Sequence, residues 1–451
     1  MKLMLELGLV LLLASRGFSQ SEDKIRQIAR ANKMAAPFSL SADNQEKETA
    51  IDLDNLVQEL FRSNPDLAAA KKRLEASQAR PLQEGSLPDP KITMGWLSNG
   101  NPLPGAGLGV EPTSNIGFQL SQGFPYPGKR TLKSTIARKE AESTAMDLQT
   151  FERFLVKQLK IAFYELEYVY DTIDLLERNR EVLQRLARVA DSRYSLGHGI
   201  QQDLIKAQLE LTLLDKKLIA EQQKKASLKA QINTLLNRSP DDPLGNPQKI
   251  QELPSLRPFE ELWHQAEQFS PKLKSQRALI DVKQFGVQLA QREYYPDFDI
   301  MGGYYNMGGL KDMWEFKVQL NIPIYFWRKQ RLGLEESSYR LVEAQKTYRA
   351  SEQGLAYRIR DQFLAAQTAH SLLDIYRQRL IPQARLALES SLTSYESGAV
   401  DFLTVLSNFR TILENEKDYY EQRTEYLKAM ANLEEAVALN LDQAQQQEAK
   451  P

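Results

Sequence analysis

The stretch from Gly123 to Thr131 reads GFPYPGKRT and comes within one residue of the G-x-x-x-x-G-K-[ST] loop that cradles phosphate. Such a loop points successive backbone N–H groups at the phosphates, and the Ser or Thr after its lysine holds Mg²⁺. Here Pro125 and Pro127 remove two of those donors, and Arg130 occupies the metal-binding position. The residues therefore argue against nucleotide binding.

A related stretch, IPIYFWRKQR, ends at Arg331 and keeps a proline and a basic cluster but has no glycine. A role shared by both stretches cannot depend on a glycine cradle. Both instead predict a strand that stops at proline, a tight aromatic turn and the start of a long helix. The basic residues of this turn either face lipid headgroups or are simply solvated. The predicted turn residues are Pro125, Pro127, Gly128, Lys129, Arg130 and Pro323.

Residues for other chemistry are scarce. The chain has no Cys, and its three His, at positions 198, 264 and 370, stand apart, so neither a transition-metal site nor redox chemistry is predicted. No Ser/His/Asp, paired-carboxylate or glycine-rich arrangement indicates catalysis. A formal net charge of -1 argues against a nucleic-acid partner. We expect a protein that is not an enzyme and that holds no cofactor or metal.

Self-comparison shows that the sequence is written twice. Asn64-Pro65 and Ser270-Pro271 open similar helical stretches, and PDPKITMGW from Pro88 is matched by PDFDIMGGY from Pro296. FQLSQGFPYPGKR is matched by VQLNIPIYFWRKQR, and YSLG by YESG, all at shifts between 200 and 208 residues. We expect one repeat over residues 51–236, a Pro-rich linker over 237–257 and a second repeat over 258–441.

The ends of the chain differ from the repeats. Residues 1–19 combine Lys2, an apolar run and small residues at a plausible cleavage position, which predicts a secretory signal peptide. An N-terminal helix or anchor is the alternative, but the apolar run is short for a membrane span. Residues 20–50 and 442–451 are polar and aperiodic, so we expect both to be flexible.

Long helices dominate the prediction. After Lys129 no Pro or Gly occurs until Gly197, and apolar residues recur about every 3.5 positions, the coiled-coil period. Similar runs cover residues 206–236, 331–397 and 401–441. Gly333 and Gly354 interrupt the second of these, and Pro382 kinks it or marks a departure from regular packing. Short glycine turns join the runs into two antiparallel hairpins. These helices alone are equally typical of a large soluble coiled coil.

Four short segments change that interpretation. Residues 314–323 and 115–124 alternate apolar and polar side chains, and residues 90–98 and 297–306 do so more weakly. Each has the length of a tilted strand that crosses a bilayer. Aromatic residues at the ends of the segments suit an interfacial girdle, although a small soluble β-sandwich is the alternative. The predicted girdle residues are Trp96, Trp314, Trp327, Tyr304 and Tyr325.

Four strands are too few for a transmembrane barrel, because eight is the practical minimum. If the strands lie in lipid, several copies must share one barrel. Two copies would give eight strands with a filled interior, whereas three would give twelve and begin to leave a lumen.

From residue 56 to 441 the chain resembles the outer-membrane efflux family of TolC-like channels. The resemblance rests on the tandem halves, the NP and SP helix starts, LPDPKITMGW, QGFPYPGKR and the tyrosine-glycine tips. DPKITMGW with SQGFPYPGKR is most similar to the branch associated with heavy-metal cation efflux. The resemblance to the family implies a homotrimer with a twelve-stranded barrel in the outer membrane of a Gram-negative bacterium and a helical tunnel across the periplasm. A periplasmic adaptor and an inner-membrane pump, most similar to the RND type, would dock below.

The resemblance also implies a constriction at the hairpin tips, formed by acidic rings. The acid of the first hairpin corresponds to Asp203, whereas those of the second correspond to Thr404 and Ser407, which are not acidic. Asp401 could replace them or could cap its helix. His198 could sense pH or be an exposed turn residue. With the two glycines, the candidate tip residues are Asp203, Asp401, Thr404, Ser407, Gly197, His198 and Gly398.

The sequence therefore favours a passive exit duct of a tripartite efflux system. The exit duct of a type I protein secretion system fits the same features. An exported coiled-coil scaffold without a pore would explain the helices and the signal peptide, but not four alternating strands at matching positions of both halves.

Overall fold

The computed structural model of the chain describes residues 50–99 and 101–438. The predicted signal peptide (1–19), all but the last residue of the segment 20–50 and the predicted tail (442–451) lie outside the described residues. Residues 439–441, at the end of the predicted second repeat, lie outside them too.

Both halves run through the same order of elements. The first comprises α1 (Leu53–Ser63), α2 (Pro65–Gly85), β1 (Lys91–Leu97), β2 (Asn115–Phe124), α3 (Lys129–Ser195) and α4 (Gln201–Leu235). The second comprises α5 (Phe259–Phe269), α6 (Pro271–Arg292), β3 (Asp297–Asn306), β4 (Met313–Asn321), α7 (Lys329–Ile375), a π-helical turn (Tyr376–Leu380), α8 (Ile381–Glu396) and α9 (Phe402–Val437). The prediction of long helical hairpins combined with four strands is confirmed.

Local signals define where the helices begin. Pro65 and Pro271 occupy the first turns of α2 and α6, where a missing N–H costs nothing. The side chain of Asn64 accepts a hydrogen bond of 2.9 Å from the amide of Leu67 and so caps α2. The longest helix, α3, has 67 residues and spans roughly 100 Å at 1.5 Å per residue.

The helical run predicted over residues 331–397 differs from the observed helix at its two glycines. Gly333 and Gly354 do not interrupt α7, which is continuous from Lys329 to Ile375. A single glycine costs about 1 kcal/mol in a helix, and the hydrogen bonds of 47 residues outweigh that loss. The irregularity lies instead just before Pro382, in the π-helical turn, because proline cannot donate to the carbonyl one turn earlier.

The helices pack side by side as a layer. Helix α3 contacts α2 on one side and α6 on the other, and α6 contacts α7. Helix α4 packs along α3 as its hairpin partner, and α9 packs against both α7 and α3. Helices α2 and α7 therefore form the two outer edges of the layer. In the part of the chain that the structure describes, no helix is both long and apolar enough to traverse a bilayer.

A belt of ion pairs fixes the inter-repeat linker against α3. Glu167, which is 2% exposed, accepts hydrogen bonds from Arg423 of α9 at 2.9 Å and from the amide of Ile250 at 3.2 Å. Burial raises the pKa of Glu167, and the charge of Arg423 opposes that shift. One turn along, buried Asp171 binds Lys249. The Pro-rich linker is thus tied to both halves of the molecule.

The four strands form one antiparallel sheet in the order β1-β2-β3-β4. The connection from residue 98 to 114 and the shorter one from 307 to 312 lie at the same end of the sheet. They touch backbone to backbone at Gly109 and Gly308, both with positive φ, of 81° and 73°. A Cβ atom on Gly308 would lie 2.6 Å from the Gly109 nitrogen, so only glycine allows this contact.

We expect Gly308→Ala to separate the two loops. The left-handed backbone and the steric conflict together cost about 1–3 kcal/mol. Cleavage by trypsin after Lys311, in the shorter loop, should accelerate. Gly309→Ala is the matched control, because its added Cβ would meet nothing within 4 Å. Equal cleavage rates for the two variants would contradict this account of the loop contact.

Candidate constriction at the hairpin tips and the strand-to-helix joint

The two hairpin tips, residues 196–200 and 397–401, are built alike. Each first helix ends at a glycine in the left-handed conformation, Gly197 with φ 75° and Gly398 with φ 81°. The amide of each glycine bonds to the carbonyl of the tyrosine three residues earlier, at 3.0 Å in both tips. The next amide bonds to a carbonyl five residues back, at 2.8 Å in both. Both tips are therefore Schellman motifs, which explains why YSLG and YESG match.

The side chain of Arg193 joins the two tips. Its guanidinium, from the end of α3, lies 4.7 Å from the ring centroid of Tyr395, at the end of α8. It also donates to the carbonyls of Tyr395, of Glu396 at 3.3 Å and of His198 at 3.2 Å. A cation at the C-terminus of a helix compensates the unpaired carbonyls and the negative end of the helix dipole. One arginine thus holds the ends of two hairpins together.

Asp203 lies beside this contact, in the first turn of α4. Burial raises its pKa, the negative charge of Asp401 adds to the shift, and Lys206 and Arg193 oppose it. The ring of Tyr395, 3% exposed, packs edge-on against Phe402. The Tyr395 hydroxyl is buried beside the carboxylate of Asp203. Its pKa is raised by burial and, further, by the charge of Asp203.

Asp401 caps α9. Its carboxylate accepts a hydrogen bond of 2.9 Å from the Thr404 amide and another from the Thr404 hydroxyl. These bonds hold the pKa of Asp401 below its usual value. Its negative charge remains exposed at the tip, next to Asp203. Capping and a charged tip are therefore compatible roles for one residue.

The structure brings most of the predicted tip residues together. Gly197, His198, Asp203 and Asp401 line one shallow cleft with Arg193 and Tyr395. Thr404 and Ser407 lie on the exposed face of the first turns of α9, and His198 is exposed in its turn. Whether these residues constrict a passage stays a prediction.

Arg193 and Tyr395 were not among the predicted site residues. A signal for one of them was present, since Tyr395 belongs to the repeated tyrosine-glycine landmark. Arg193 has no such signal, because an arginine one turn before a glycine is an ordinary helix ending.

The strand-to-helix turn of the first half is a buried ionic joint. Lys129, the first residue of α3, is 3% exposed, and its ammonium binds Asp297 at 2.9 Å, Glu293 at 3.3 Å and the carbonyl of Tyr295 at 3.1 Å. The expectation that its charge faces lipid headgroups or solvent is wrong for Lys129. Three oxygens from the junction between α6 and β3 surround it, which compensates the loss of water.

Further contacts close the same joint. The Tyr126 amide donates to Asp297 at 2.7 Å, and the Tyr126 ring stacks on Tyr295 with centroids 4.5 Å apart. Arg292 donates to the carbonyl of Pro127 at 3.1 Å. It also covers Gly128, whose φ of 92° suits only glycine. Pro125, Pro127 and Gly128 therefore set the turn that carries Lys129 to its partners. Arg130, next in α3, is partly exposed.

The second turn, from Pro323 to Arg328, is two residues longer than the first. Ile92 pairs with Leu120, and Ile300 pairs with Val318, so β2 corresponds to β4 at a shift of 198 rather than 200. Pro125 then matches Pro323 directly. The two extra residues lie in the turn, after which both helices begin at a lysine, Lys129 and Lys329.

The sheet has one apolar and one polar face. The register places Met94, Phe118, Tyr304 and Trp314 side by side on one face. The residues around this row on the same face are largely apolar and exposed. They include Ile92, Trp96, Ile116, Leu120, Ile300, Phe316, Val318 and Leu320. The opposite face carries Thr93, Gln119, Ser121, Tyr305, Glu315, Lys317 and Gln319. Alternation of this kind is typical of strands between lipid and a polar interior.

Family comparison agrees with this architecture. Residues 56–238 and 262–439 match the family described as outer membrane efflux protein. The chain belongs to this family. The efflux protein has one matched segment in each half, and together the segments cover most of its length.

Individual relatives are more distant. The efflux protein is 22% identical to the cobalt-zinc-cadmium resistance protein CzcC of Cupriavidus metallidurans over 351 residues, which is 76% of this chain and 79% of CzcC. Its fold is similar to that of VceC from Vibrio cholerae, with a TM-score of 0.73, 17% identity and coverage of 86% and 96% of the two chains. CusC is similar at a TM-score of 0.73, 16% identity and coverage of 89% and 95%.

The predicted girdle residues of this efflux protein lie at both ends of the sheet. Trp96, Trp314 and Tyr304 lie near the two loops, with the rings of Tyr304 and Trp314 5.0 Å apart. Tyr325 and Trp327 lie in the second turn, on the helical side, 6.0 Å apart. Contact of these rings with a membrane interface remains a prediction.

We expect Lys129→Met to lower the free energy of unfolding by about 1.5–3 kcal/mol, because two carboxylates lose a charged hydrogen-bond donor. The change should appear as a lower temperature for the loss of helical circular dichroism in detergent. Lys133→Met is the matched control, since Lys133 is exposed one turn further along α3. An equal effect of both substitutions would refute the ionic joint.

The tip acids should give the pore a two-step pH dependence. A raised pKa means that the folded tip favours protonated Asp203, so its charge is lost first as the pH falls; Asp401, with a lowered pKa, loses its charge later. We expect cation preference, measured from reversal potentials in a KCl gradient, to fall in two steps. Asp203→Asn should remove the step at higher pH and Asp401→Asn the other. An unchanged profile in Asp203→Asn would show that this carboxylate does not face the ion path.

Proposed function

We propose that three copies of this efflux protein close into one duct, with a twelve-stranded barrel in the outer membrane and a helical tunnel below it. The observation that carries this proposal is the sheet, which is largely apolar on one face and open at β1 and β4. Unpaired strand edges are not tolerated in lipid, and four strands are too few to close alone. Helices α2 and α7 are open edges of the helical layer in the same way.

The membrane contacts follow from the sheet. Its apolar face would contact lipid and its polar face would line the lumen. Trp96, Trp314 and Tyr304 would lie at the outer interface, and Tyr325 and Trp327 at the periplasmic one, where aromatic side chains are enriched. Arg130, in the first turn, would face headgroups on the periplasmic side.

We infer that the duct is passive and works with a periplasmic adaptor and an inner-membrane pump of the RND type. The far ends of the helices support docking of a partner there, since Leu196, Ile200 and Leu403 are exposed apolar residues at the tips. Energy for transport would come from the pump.

The proposed cargo is a metal cation. The similarity to CzcC, named for cobalt, zinc and cadmium resistance, favours this cargo. The exposed charge of Asp401 beside Asp203 would attract cations at the tunnel end, and Thr404 and Ser407 add hydroxyls without charge. Cations would pass rather than bind. In residues 50–99 and 101–438 no cluster of three metal-ligating side chains occurs.

The contact between Arg193 and the end of α8 would hold the tunnel end narrow. Opening requires the two hairpins of one copy to part, which breaks the hydrogen bonds of Arg193 and exposes the ring of Tyr395. Asp203 would then leave its partly buried position. A partner that binds the opened tip more tightly than the closed one would supply this energy.

Single-channel recording in planar lipid bilayers tests the proposal. We expect stable cation-preferring steps from the purified protein and a larger conductance from Arg193→Gln. Asp203→Asn and Asp401→Asn should both weaken the cation preference, and asparagine keeps the cap of α9. Asp241→Asn, in the exposed linker, is the control and should behave as the wild type. Folded, membrane-inserted protein that never conducts, even as Arg193→Gln, would refute the duct.

A further inference from the structure

One chain contains a complete joint between two repeats. In it β2 pairs with β3, α3 packs on α6, and the ammonium of Lys129 binds Asp297. A ring of repeats needs the same kind of joint between copies, with β4 and α7 of one copy meeting β1 and α2 of the next. The internal joint is therefore a template for the joint between copies.

The repeat fixes which residues correspond. Lys329 starts α7 as Lys129 starts α3. Pro88 and Asp89 precede β1 as Pro296 precedes and Asp297 begins β3, at a shift of 208. Among the described residues, Lys329 and Asp89 are exposed, and neither takes part in an ion pair. Each has the charge of its counterpart but no partner.

The acids that line the same cleft as Lys329 already have basic partners within the chain. The cleft, of about 800 Å³, lies between α6 and α7 and is also lined by Glu293, Asp297 and Glu336. The first two bind Lys129, and Glu336 binds Arg340 at 2.6 Å. An unpaired acid for Lys329 must therefore come from elsewhere.

A second contact of the internal joint has counterparts of opposite charge on the two open edges. In the internal joint the guanidinium of Arg292 covers Gly128. At the shift of 208 that relates β1 to β3, Arg292 corresponds to Glu84, and at the shift of 200 that relates the helix starts, Gly128 corresponds to Arg328. The two residues lie one on each open edge of the molecule. A glycine and an arginine are thus replaced by an acid and a base, and both are exposed.

The strand register transfers as well. Internally Gln122 pairs with Ile300, Leu120 with Gly302 and Phe118 with Tyr304. At shifts of 198 for β2 to β4 and 208 for β1 to β3, the corresponding pairs join β4 to β1 of the next copy. These pairs are Leu320 with Ile92, Val318 with Met94, and Phe316 with Trp96. All six side chains lie on the apolar face, so the face stays continuous across the edge.

We propose that Lys329 of one copy binds Asp89 of the next, with Arg328 binding Glu84 beside it. This ionic joint rests on the proposed trimer and deepens it. It names the residues that select and orient the neighbouring copy where barrel and tunnel meet. Charge pairs of this kind fix register and exclude wrong partners.

Cross-linking tests the pair directly, because the chain has no cysteine of its own. Asp89→Cys/Lys329→Cys, treated in isolated outer membranes with a short bismaleimide, should give covalent dimers and trimers in a denaturing gel. Lys129→Cys/Asp297→Cys should react within one chain and remain at monomer size. Asp89→Cys/Lys311→Cys is the negative control, since Lys311 lies in a loop at the other end of the sheet.

Charge exchange separates this proposal from the trimer itself. We expect Lys329→Asp and Asp89→Lys each to lower the temperature at which trimers dissociate in mild detergent, and the double variant Lys329→Asp/Asp89→Lys to restore it. Lys311→Asp should have no effect. Intact trimers that neither cross-link through positions 89 and 329 nor respond to the exchange would overturn the pair and leave the duct standing. A protein that stays monomeric in outer membranes would overturn the duct as well.

Discussion

The structure depends on one constraint: inside a bilayer, no water is available to satisfy an unpaired backbone N–H or C=O group. A sheet with two free edges can meet this constraint only by closing on further strands. The efflux protein supplies four strands with an apolar outer face, so its closure must involve other copies. Because the two halves repeat the same elements, the proposed trimer would use one kind of joint both within and between chains.

A second demand follows from the first. The strands have a side-chain period of two and the helices one of 3.6, and the chain must change from one to the other twice without leaving a gap. The internal transition is made with prolines that end the strand, a left-handed glycine, and a lysine that begins the helix and fills the junction with its charge. The partial exposure of Glu293 and Asp297 keeps the cost of burying this lysine low.

Much of the fold could be predicted because its signals are local. Alternation defined the strands, long runs without Pro or Gly defined the helices, and matching landmarks defined the halves. The glycines of α7 misled the prediction, since a single residue weighs little in a long helix. The strand shift of 198 was missed because alternating sequences also match well two residues out of register.

The sites were less predictable, because their partners are distant in sequence. The burial of Lys129 depends on residues more than 160 positions away, and a basic residue in a turn is ordinarily solvated. Arg193 meets Tyr395 across 202 positions. Asp401 illustrates the opposite case, since an acid just before a helix signals a cap from its immediate neighbours alone.

Because the ion-pair belt at Glu167 is far from the hairpin tips, a small rotation of a hairpin at the belt becomes a larger displacement at its tip. Between Asp171, the last residue of the belt, and its end at Ser195, α3 runs free of the linker for roughly 36 Å, so a rotation of about 2° at the belt moves the tip by roughly 1.3 Å. A displacement of that size exceeds the tolerance of a hydrogen bond. A small rotation at the belt, far from the tip, is therefore enough to break the hydrogen bonds that Arg193 makes. Mechanical advantage, rather than a large rearrangement, would then decide whether the far end of the tube is open or shut.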